Sequence, residues 1–203
     1  MESTKNTLLP SAYWAPIEYY AYLLQHQCAL EVEEYFVKQT IRSRCQIAGA
    51  NNILTLHIPK VRKNSSKTLV KDLRINHDTA WQKQHWNSIV SAYNSSPFFE
   101  YYQDDIAPLY EEKPNFLLDW NNQIQELLDS LLNLEIVLPQ TGSYQKNIDG
   151  LDLRGYAFDK QMLPSYTQVF SETHGFTPHL SILDLLFNEG PNTETYLQSL
   201  SLK

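Results

Sequence analysis

The hydrophobic pattern of the 203-residue chain changes near Asp78. Before this residue, apolar side chains alternate with polar ones in short runs such as Ile53–Ile58, a pattern that is typical of strands. After it, apolar residues recur at intervals of three and four, as in Trp86–Tyr93, which is typical of amphipathic helices. The sequence therefore predicts a single domain over 1–203 with an α+β fold, strand-rich at 7–76 and mainly helical at 78–203.

The first part is predicted to contain short strands and one helix. Pro16 suits the first turn of that helix, which ends near His26. Because the connections between strands are interpreted as too short for helical crossovers, the strands are expected to be mostly antiparallel. The predicted strands are Thr7–Trp14, Cys28–Val37 and a hairpin that joins Arg44–Ile47 to Ile53–Ile58.

The second part is predicted to be mainly helical. Phe116–Leu134 carries a continuous apolar stripe and is the strongest helix signal in the chain. Gln140–Gly155 is polar and rich in turn residues, so it is expected to be mobile. The other predicted helices begin after Asp78 and at Phe98, and the last one is capped by Thr177 and ends before Gly190.

The composition excludes several classes of protein. The chain is 42% hydrophobic and 12% aromatic, which is too high for a disordered protein. No apolar run reaches the ~18–20 residues that a membrane-spanning helix needs, and Met1–Asn6 has no hydrophobic signal core. Two cysteines do not suggest a disulfide framework. We therefore expect a soluble, reduced, cytoplasmic protein.

Positive charge is concentrated in a basic segment, which we define as residues 38–74. It holds nine of the 16 basic residues and one acid, a charge of +8, although the whole chain carries −7. Such a segment attracts phosphates, carboxylates or an acidic protein surface. A solvated loop is the alternative for Lys60–Lys71. Nucleic acid is not expected as a partner, because the chain as a whole is acidic and contains no known nucleic-acid-binding motif.

The common catalytic and cofactor motifs are absent from the sequence. It contains no G-x-G-x-x-G, no phosphate-binding loop, no G-x-S-x-G and no H-E-x-x-H. Cys28 and Cys45 are 17 residues apart without paired histidines, and His77 and His85 are two helical turns apart. The sequence therefore predicts no metal site and no cofactor.

The first candidate group lies at the start of the basic segment. If this stretch is extended, alternation places Lys38, Arg42 and Arg44 on one side. A row of fixed cations would bind a phosphate or carboxylate, and arginine would add bidentate geometry. The alternative is an exposed strand face that is paired with surface acids such as Glu31 and Glu33.

The second candidate group lies on the helix that follows Asp78. Trp81, His85 and Ile89 are one turn apart, so His85 would lie at the edge of the apolar stripe. A histidine between aromatic residues can act as a general base near neutral pH. The alternative is a structural histidine that bonds to a backbone carbonyl.

The third candidate group lies on the helix predicted over Thr177–Gly190. This helix is apolar nearly all round, which predicts burial, yet Asp184 lies on a narrow polar stripe. A buried carboxylate needs a partner, and we expect an arginine of the basic segment. Such a pair would orient the arginine toward a ligand or hold the two parts of the chain together.

These groups also carry a resemblance to a known family. The ordered co-occurrence of several segments across nearly the whole chain resembles the WbqC-like family, especially its Bacteroidetes branch. The sequence departs from the family pattern at Tyr35, where relatives tend to carry histidine, and at Ser43 and His179, where they tend to carry asparagine. The segments that carry the resemblance are Leu9–Tyr20, Tyr35–Cys45, Ile47–Asn51, the Trp81/His85 helix with Ala92–Phe99, Gln168–Phe170 and Leu180–Pro191.

The resemblance implies a role in making cell-surface glycans. Members of this family often belong with genes for surface polysaccharide, including O-antigen, and transfer of an acyl or aminoacyl group to an amino sugar is a suggested role. Our leading hypothesis is therefore a transferase-like protein with a small anionic or nucleotide-sugar ligand. The alternative is a non-catalytic binding or assembly protein that uses the basic segment.

Each hypothesis assigns roles to particular residues. Under the first, His85 removes a proton from an amine and Asp184 orients an arginine or the histidine. Catalysis is favoured if these two residues meet the basic side chains in one cleft. The oligomeric state stays open. The candidate substrate-binding residues are Lys38, Gln39, Arg42, Arg44, Trp81 and Tyr93.

Overall fold

The computed structural model describes residues 6–61, 67–159 and 162–202. Its fold is α+β, with most strands in the first part of the chain and most helices in the second, which confirms the predicted class. The strands are β1 (Asn6–Pro10), β2 (Gln27–Glu31), β3 (Arg44–Gly49), β4 (Asn52–His57) and β5 (Leu151–Asp152). The helices are α1 (Ile17–Gln25), α2 (Trp81–Tyr93), α3 (Phe99–Ile106), α4 (Leu117–Leu131), α5 (Ser171–His174), α6 (Ile182–Glu189) and α7 (Thr193–Ser199), and short 3-10 turns occur at Val70–Asp72, Ala107–Glu111 and Gly190–Asn192.

The larger sheet is parallel, so the expectation of mostly antiparallel strands was wrong here. Its strand order is β2-β1-β5, with Thr7 opposite both Cys28 and Leu151. The physical reason is that α1 is itself the crossover that returns the chain to the same end of the sheet. The predicted hairpin is present, because β3 and β4 pair antiparallel with Arg44 opposite His57.

A buried carboxylate anchors the stretch that we expected to be mobile. Glu31, at the end of β2, is fully buried and accepts hydrogen bonds from Thr141 Oγ1 at 2.7 Å and from the Gln145 amide at 2.9 Å. It also pairs with Arg154, 3.2 Å away. Together with the pairing of β5, these bonds hold residues 140–155 against the sheet. The polar side chains of this stretch therefore make hydrogen bonds within the protein and do not indicate mobility.

The apolar core joins the sheet to the helices. Helix α1 is buried along most of its length, and α4 contributes Trp120, Ile124 and Leu128 to the same core. Helix α6 is apolar and buried as predicted, but it begins at Ile182 and not at Thr177. Ser181 caps it, with the Leu183 amide donating to Ser181 Oγ. His179, two residues before the cap, has a left-handed backbone (φ 63°) that a helix cannot include. Among the described residues, no helix is both long and apolar enough to cross a membrane.

Candidate functional site

A cavity of about 570 Å³ lies beside the first residues of the basic segment. Val37, residues 39–42, residues 44–46 and Thr55 form one part of its lining, and residues 154–159 form another. His179 and two prolines, Pro10 and Pro16, complete it. Its volume is within the range of ordinary small-molecule sites. Segments that are far apart in the sequence thus meet around one space.

Arg42 borders the cavity, but its guanidinium is already fully engaged. Nε donates to Glu34 Oε1 at 2.7 Å, Nη1 to Thr40 Oγ1 at 3.2 Å and Nη2 to the Arg154 carbonyl at 3.0 Å. The Arg42 side chain is 1% exposed and that of Glu34 is 8% exposed. Burial raises the pKa of Glu34, and the Arg42 charge opposes that shift. Arg42 therefore holds the 154–159 segment in place, and its donors are not free for a ligand.

Arg44, two residues further along, has the opposite character. It lines the cavity from the outer face of the hairpin, where Gln46, Thr55 and His57 also lie. Its Nε is buried without a hydrogen-bond partner, and its guanidinium makes no ion pair with the described residues. An unpaired cation at the wall of a cavity is suited to binding an anion.

His179, which lines the same cavity, is paired with a buried carboxylate. Nδ1 of His179 bonds to Oε1 of Glu18, which is fully buried in the first turn of α1. Burial raises the pKa of Glu18, while the contact with His179 lowers it. Because Nδ1 is used by Glu18, Nε2 is the ring nitrogen available to a bound molecule. This is the arrangement in which a carboxylate orients a histidine for proton transfer.

The backbone around the cavity is held in unusual conformations. Gln39 and His179 both line it with positive φ values, 62° and 63°. Trp14, close to the lining residue Pro16, has φ 40°. Left-handed backbone at residues other than glycine costs about 1–3 kcal/mol and occurs preferentially at functional sites. The conformations therefore favour this cavity as the candidate site.

The structure places His85 elsewhere, in the apolar core. Its side chain packs against Trp81, and Nδ1 lies 2.9 Å from the Tyr13 hydroxyl. Burial lowers the pKa of His85 to about 4. His85 is not among the residues that line the cavity. Its proposed role as a base for a ligand in this cavity stays a prediction that the geometry does not support.

Asp184 is also remote from the cavity, and its expected arginine partner was wrong. Its carboxylate accepts hydrogen bonds from the Tyr166 hydroxyl at 2.5 Å and from the Gln168 amide at 2.8 Å. The arginine that we expected, Arg42, is paired with Glu34. Burial raises the pKa of Asp184. Its hydrogen-bond donors, Tyr166 and Gln168, are neutral, whereas we expected a charged partner. These bonds fasten the chain that precedes α5 onto α6.

The other predicted binding residues are dispersed. Gln39 lines the cavity, whereas Lys38 is exposed beside it in the sequence. Trp81 is buried against Trp120 with ring centroids 5.9 Å apart. The Tyr93 hydroxyl accepts a hydrogen bond from the Ala48 amide at 3.1 Å, inside the protein. Arg62 and Lys63 of the basic segment lie outside the described residues.

Sequence reasoning missed Glu18 and His179 as a pair. They are 161 residues apart, so no local spacing connects them. One signal was present: Glu18 is the only charged residue in the apolar and aromatic stretch Ile17–Leu24. An acid in such a helix predicts a buried carboxylate that requires a partner. A search for that partner would have considered His179.

Comparison with known proteins gives one family and one relative. A family model described as "WbqC-like protein family" matches residues 17–153 and 150–196. The chain is 24% identical over 197 residues to a protein of Mycobacterium tuberculosis (strain ATCC 25618 / H37Rv) named "Uncharacterized protein Rv1507c", covering 80% of this chain and 84% of that protein. No solved structure matches the chain.

The described residues contain no group of three or more histidine, cysteine or acidic side chains placed to bind a metal ion.

Proposed function

The chain belongs to the WbqC-like protein family, and on that premise we propose that it is a transferase-like protein of bacterial cell-surface polysaccharide biosynthesis of the O-antigen type. The proposed reaction transfers an acyl or aminoacyl group to the amine of a nucleotide-linked amino sugar in the cytoplasm. One observation carries this proposal: His179, which is paired with the buried Glu18, and the unpaired Arg44 line the same cavity.

His179 is the proposed general base in this chain, where it stands in place of the asparagine that relatives tend to carry. The sugar amine nitrogen forms a bond to the acyl carbon, and the bond from that carbon to the leaving group breaks. The electron pair of that bond goes to the leaving group. Nε2 of His179 takes the proton that the nitrogen loses and returns it to the leaving group, while Glu18 holds the ring.

Two charged residues that line the cavity, Arg44 and Asp159, suit the anionic group and the amine of such a substrate. Arg44 would bind an anionic part, a phosphate or a carboxylate. Burial is the main cause of the raised pKa of Glu18, and the charge of Asp159, which also lines the cavity, adds to it. A negative residue at that end favours an amine beside His179. The amine and the anionic group would then lie at different parts of one cavity.

A non-catalytic binding or assembly protein is the alternative, and one observation favours it. The unpaired cation, Arg44, needs no proton acceptor to bind an anionic ligand or partner. The two hypotheses differ at His179: only an enzyme requires Nε2 to accept a proton.

The test begins with a thermal-shift screen of nucleotide sugars, acyl-coenzyme A species, amino acids and simple phosphates. A ligand at 100 times its Kd stabilises the protein by about 2.7 kcal/mol, which is readily detected. Transfer is then measured with the ligands that bind, for the parent protein, His179→Asn and Arg44→Gln. Asparagine tolerates the left-handed backbone at this position, so the variant is expected to fold.

We expect His179→Asn to keep the ligand-dependent shift and to lose about 100-fold or more in kcat, the usual contribution of a general base. Arg44→Gln should lose the shift itself. Lys83→Gln, which removes an exposed cation from α2, is the matched control and should change neither. Full transfer by His179→Asn would overturn the assignment of the base, and ligand binding without transfer by the parent protein would favour the binding protein.

A further inference from the structure

Four basic side chains, Lys38, Arg44, His57 and Lys60, form a group that we call the cation cluster. Arg44 and His57 are directly opposite each other in the β3–β4 register. Side chains in such positions have Cβ atoms about 4.5–5.5 Å apart and lie on the same face of the hairpin. Lys60 follows β4, and its Nζ lies 4.0 Å from the centroid of the Phe36 ring.

Charges within the cluster affect the pKa values of two of its members. Burial lowers the pKa of His57, and the charges of Arg44 and Lys60 lower it further. Burial likewise lowers the pKa of Lys60, with Lys38 and Arg44 adding to the effect. No carboxylate contributes to either shift. Lys38, Arg44 and Lys60 therefore repel one another without compensation from an acid, and the lowered pKa leaves His57 mostly neutral at pH 7.

This lack of acidic partners distinguishes the cluster from Arg42 and Lys71. Arg42 pairs with Glu34 at 2.6 Å, and Lys71 pairs with Glu33 at 2.6 Å. By contrast, no member of the cluster makes an ion pair with a carboxylate among residues 6–61, 67–159 and 162–202. The buried Nε of Arg44 also has no hydrogen-bond partner. An anion from outside the chain would compensate the charge of the cluster.

We propose that the cation cluster binds the diphosphate of a diphosphate ester, whose esterified group extends into the cavity that Arg44 lines. Several cations suit a group that carries more than one negative charge, and arginine provides bidentate contacts to its oxygens. The cavity lining includes Tyr156 and Phe158, with ring centroids 5.1 Å apart, which suits a flat or apolar attached group.

This inference rests on the proposed function, because it names the ligand class of the same cavity. Nucleoside-diphosphate sugars and coenzyme A thioesters both contain a diphosphate, so an acceptor and a donor of the proposed reaction would share this chemistry. The inference also changes the binding set: His57 and Lys60 enter it, and Arg42 leaves it because Glu34 already occupies its guanidinium.

Isothermal titration calorimetry with inorganic pyrophosphate and with inorganic phosphate tests the cluster without any requirement for turnover. We expect pyrophosphate to bind more tightly than phosphate. Lys60→Gln and His57→Gln should each weaken pyrophosphate binding, Lys60→Gln by about tenfold or more, the value of one hydrogen bond to a charged group. Lys83→Gln should remain within about twofold of the parent protein. Equal binding of the two anions, or unchanged binding by both cluster variants, would overturn the proposal.

Uridine diphosphate and coenzyme A identify the source of the diphosphate. Tighter binding of uridine diphosphate than of pyrophosphate, with the same loss in Lys60→Gln, supports a nucleotide-linked ligand, and the same result with coenzyme A supports a thioester. Binding of neither ester would overturn the placement of the esterified group in the cavity. Failure of the proposed function is distinguishable: in that case pyrophosphate binds as expected, but the parent protein transfers no acyl group.

Discussion

The Tyr13 hydroxyl lies 2.9 Å from Nδ1 of His85 in a buried polar chain. The same hydroxyl is 3.0 Å from that of Tyr110, which also accepts a hydrogen bond from Trp14 Nε1 at 2.8 Å. Each of these side chains is more than 90% buried. The chain of hydrogen bonds fixes Trp14, whose backbone is left-handed, close to the residues that line the cavity. His85 therefore has a structural role as a member of this hydrogen-bonded chain.

The burial of His85 predicts acid sensitivity. Its pKa is lowered to about 4 in the folded protein, whereas an unfolded histidine titrates near 6.5. Below pH 6.5 the unfolded chain binds a proton that the folded protein does not, so stability decreases as the pH falls from 6.5 toward 4. The loss attributable to His85 is about 3 kcal/mol at most. Urea unfolding of the parent protein and of His85→Gln at several pH values in this window measures it.

The comparison between the two proteins isolates the histidine. Burial also raises the pKa values of Glu18 and Asp184, and raises that of Asp129 to about 6, which produces the opposite pH trend in both proteins. His85→Gln retains an acceptor for the Tyr13 hydroxyl and should lose less stability on acidification than the parent. Identical pH dependence in the two proteins would show that His85 is not buried in its neutral form.

The buried Arg42–Glu34 pair predicts a second effect, on stability. Arg42→Met removes the guanidinium and leaves Glu34 as a buried carboxylate without its partner. Such a change destabilises a protein by about 3–5 kcal/mol. Replacing both residues, Arg42→Met with Glu34→Leu, should recover most of this loss, because no charge then remains buried. Urea unfolding at pH 7 compares the three proteins.

Lys71 provides the matched control for this experiment. It pairs with Glu33 at 2.6 Å, the same distance as in the buried pair, but its side chain is 41% exposed. Water replaces such a partner easily, so Lys71→Met should have little effect. A double variant at Arg42 and Glu34 that is as unstable as Arg42→Met would mean that the bonds from Arg42 to Thr40 and to the Arg154 carbonyl dominate.

The parts of the fold that follow from local pattern could be predicted from the sequence. Alternation and the Gly49–Asn52 turn residues identify the β3–β4 hairpin, and apolar spacing identifies α2 and α4 within a few residues. The parallel sheet could not be predicted in this way. Its edge strand β5 is two residues long and lies in a polar stretch, so only the pairing with Thr7 and Leu8 makes it a strand.

Some residues of the candidate site could likewise be predicted from the sequence, and others could not. Arg44 and Gln39 belong to the basic segment and could be predicted from charge and spacing. The proposed pairing of Asp184 with an arginine was wrong because the sequence does not show that Tyr166 and Gln168 fold back onto α6. The Glu18–His179 pair likewise depends on tertiary contact, since Ile17 bonds to the Leu180 carbonyl where α1 meets the chain before α6.

The end of α6 offers a prediction about stability that depends on one glycine. Gly190 has φ 53°, and a Cβ atom added there would lie 2.5 Å from two ring carbons of Phe98. The Phe98 main chain is held in place, because its amide donates to the Phe187 carbonyl at 3.0 Å, so relief of this contact requires the ring itself to change its rotamer. Gly190→Ala should therefore destabilise the protein by about 2–4 kcal/mol, through left-handed strain and overpacking together.

At Gly142 an added Cβ meets no atom within 4 Å, so Gly142→Ala is the matched control and should change stability little. Equal urea midpoints for the two variants would mean that the α6 terminus adapts to a side chain and does not fix the position of Phe98.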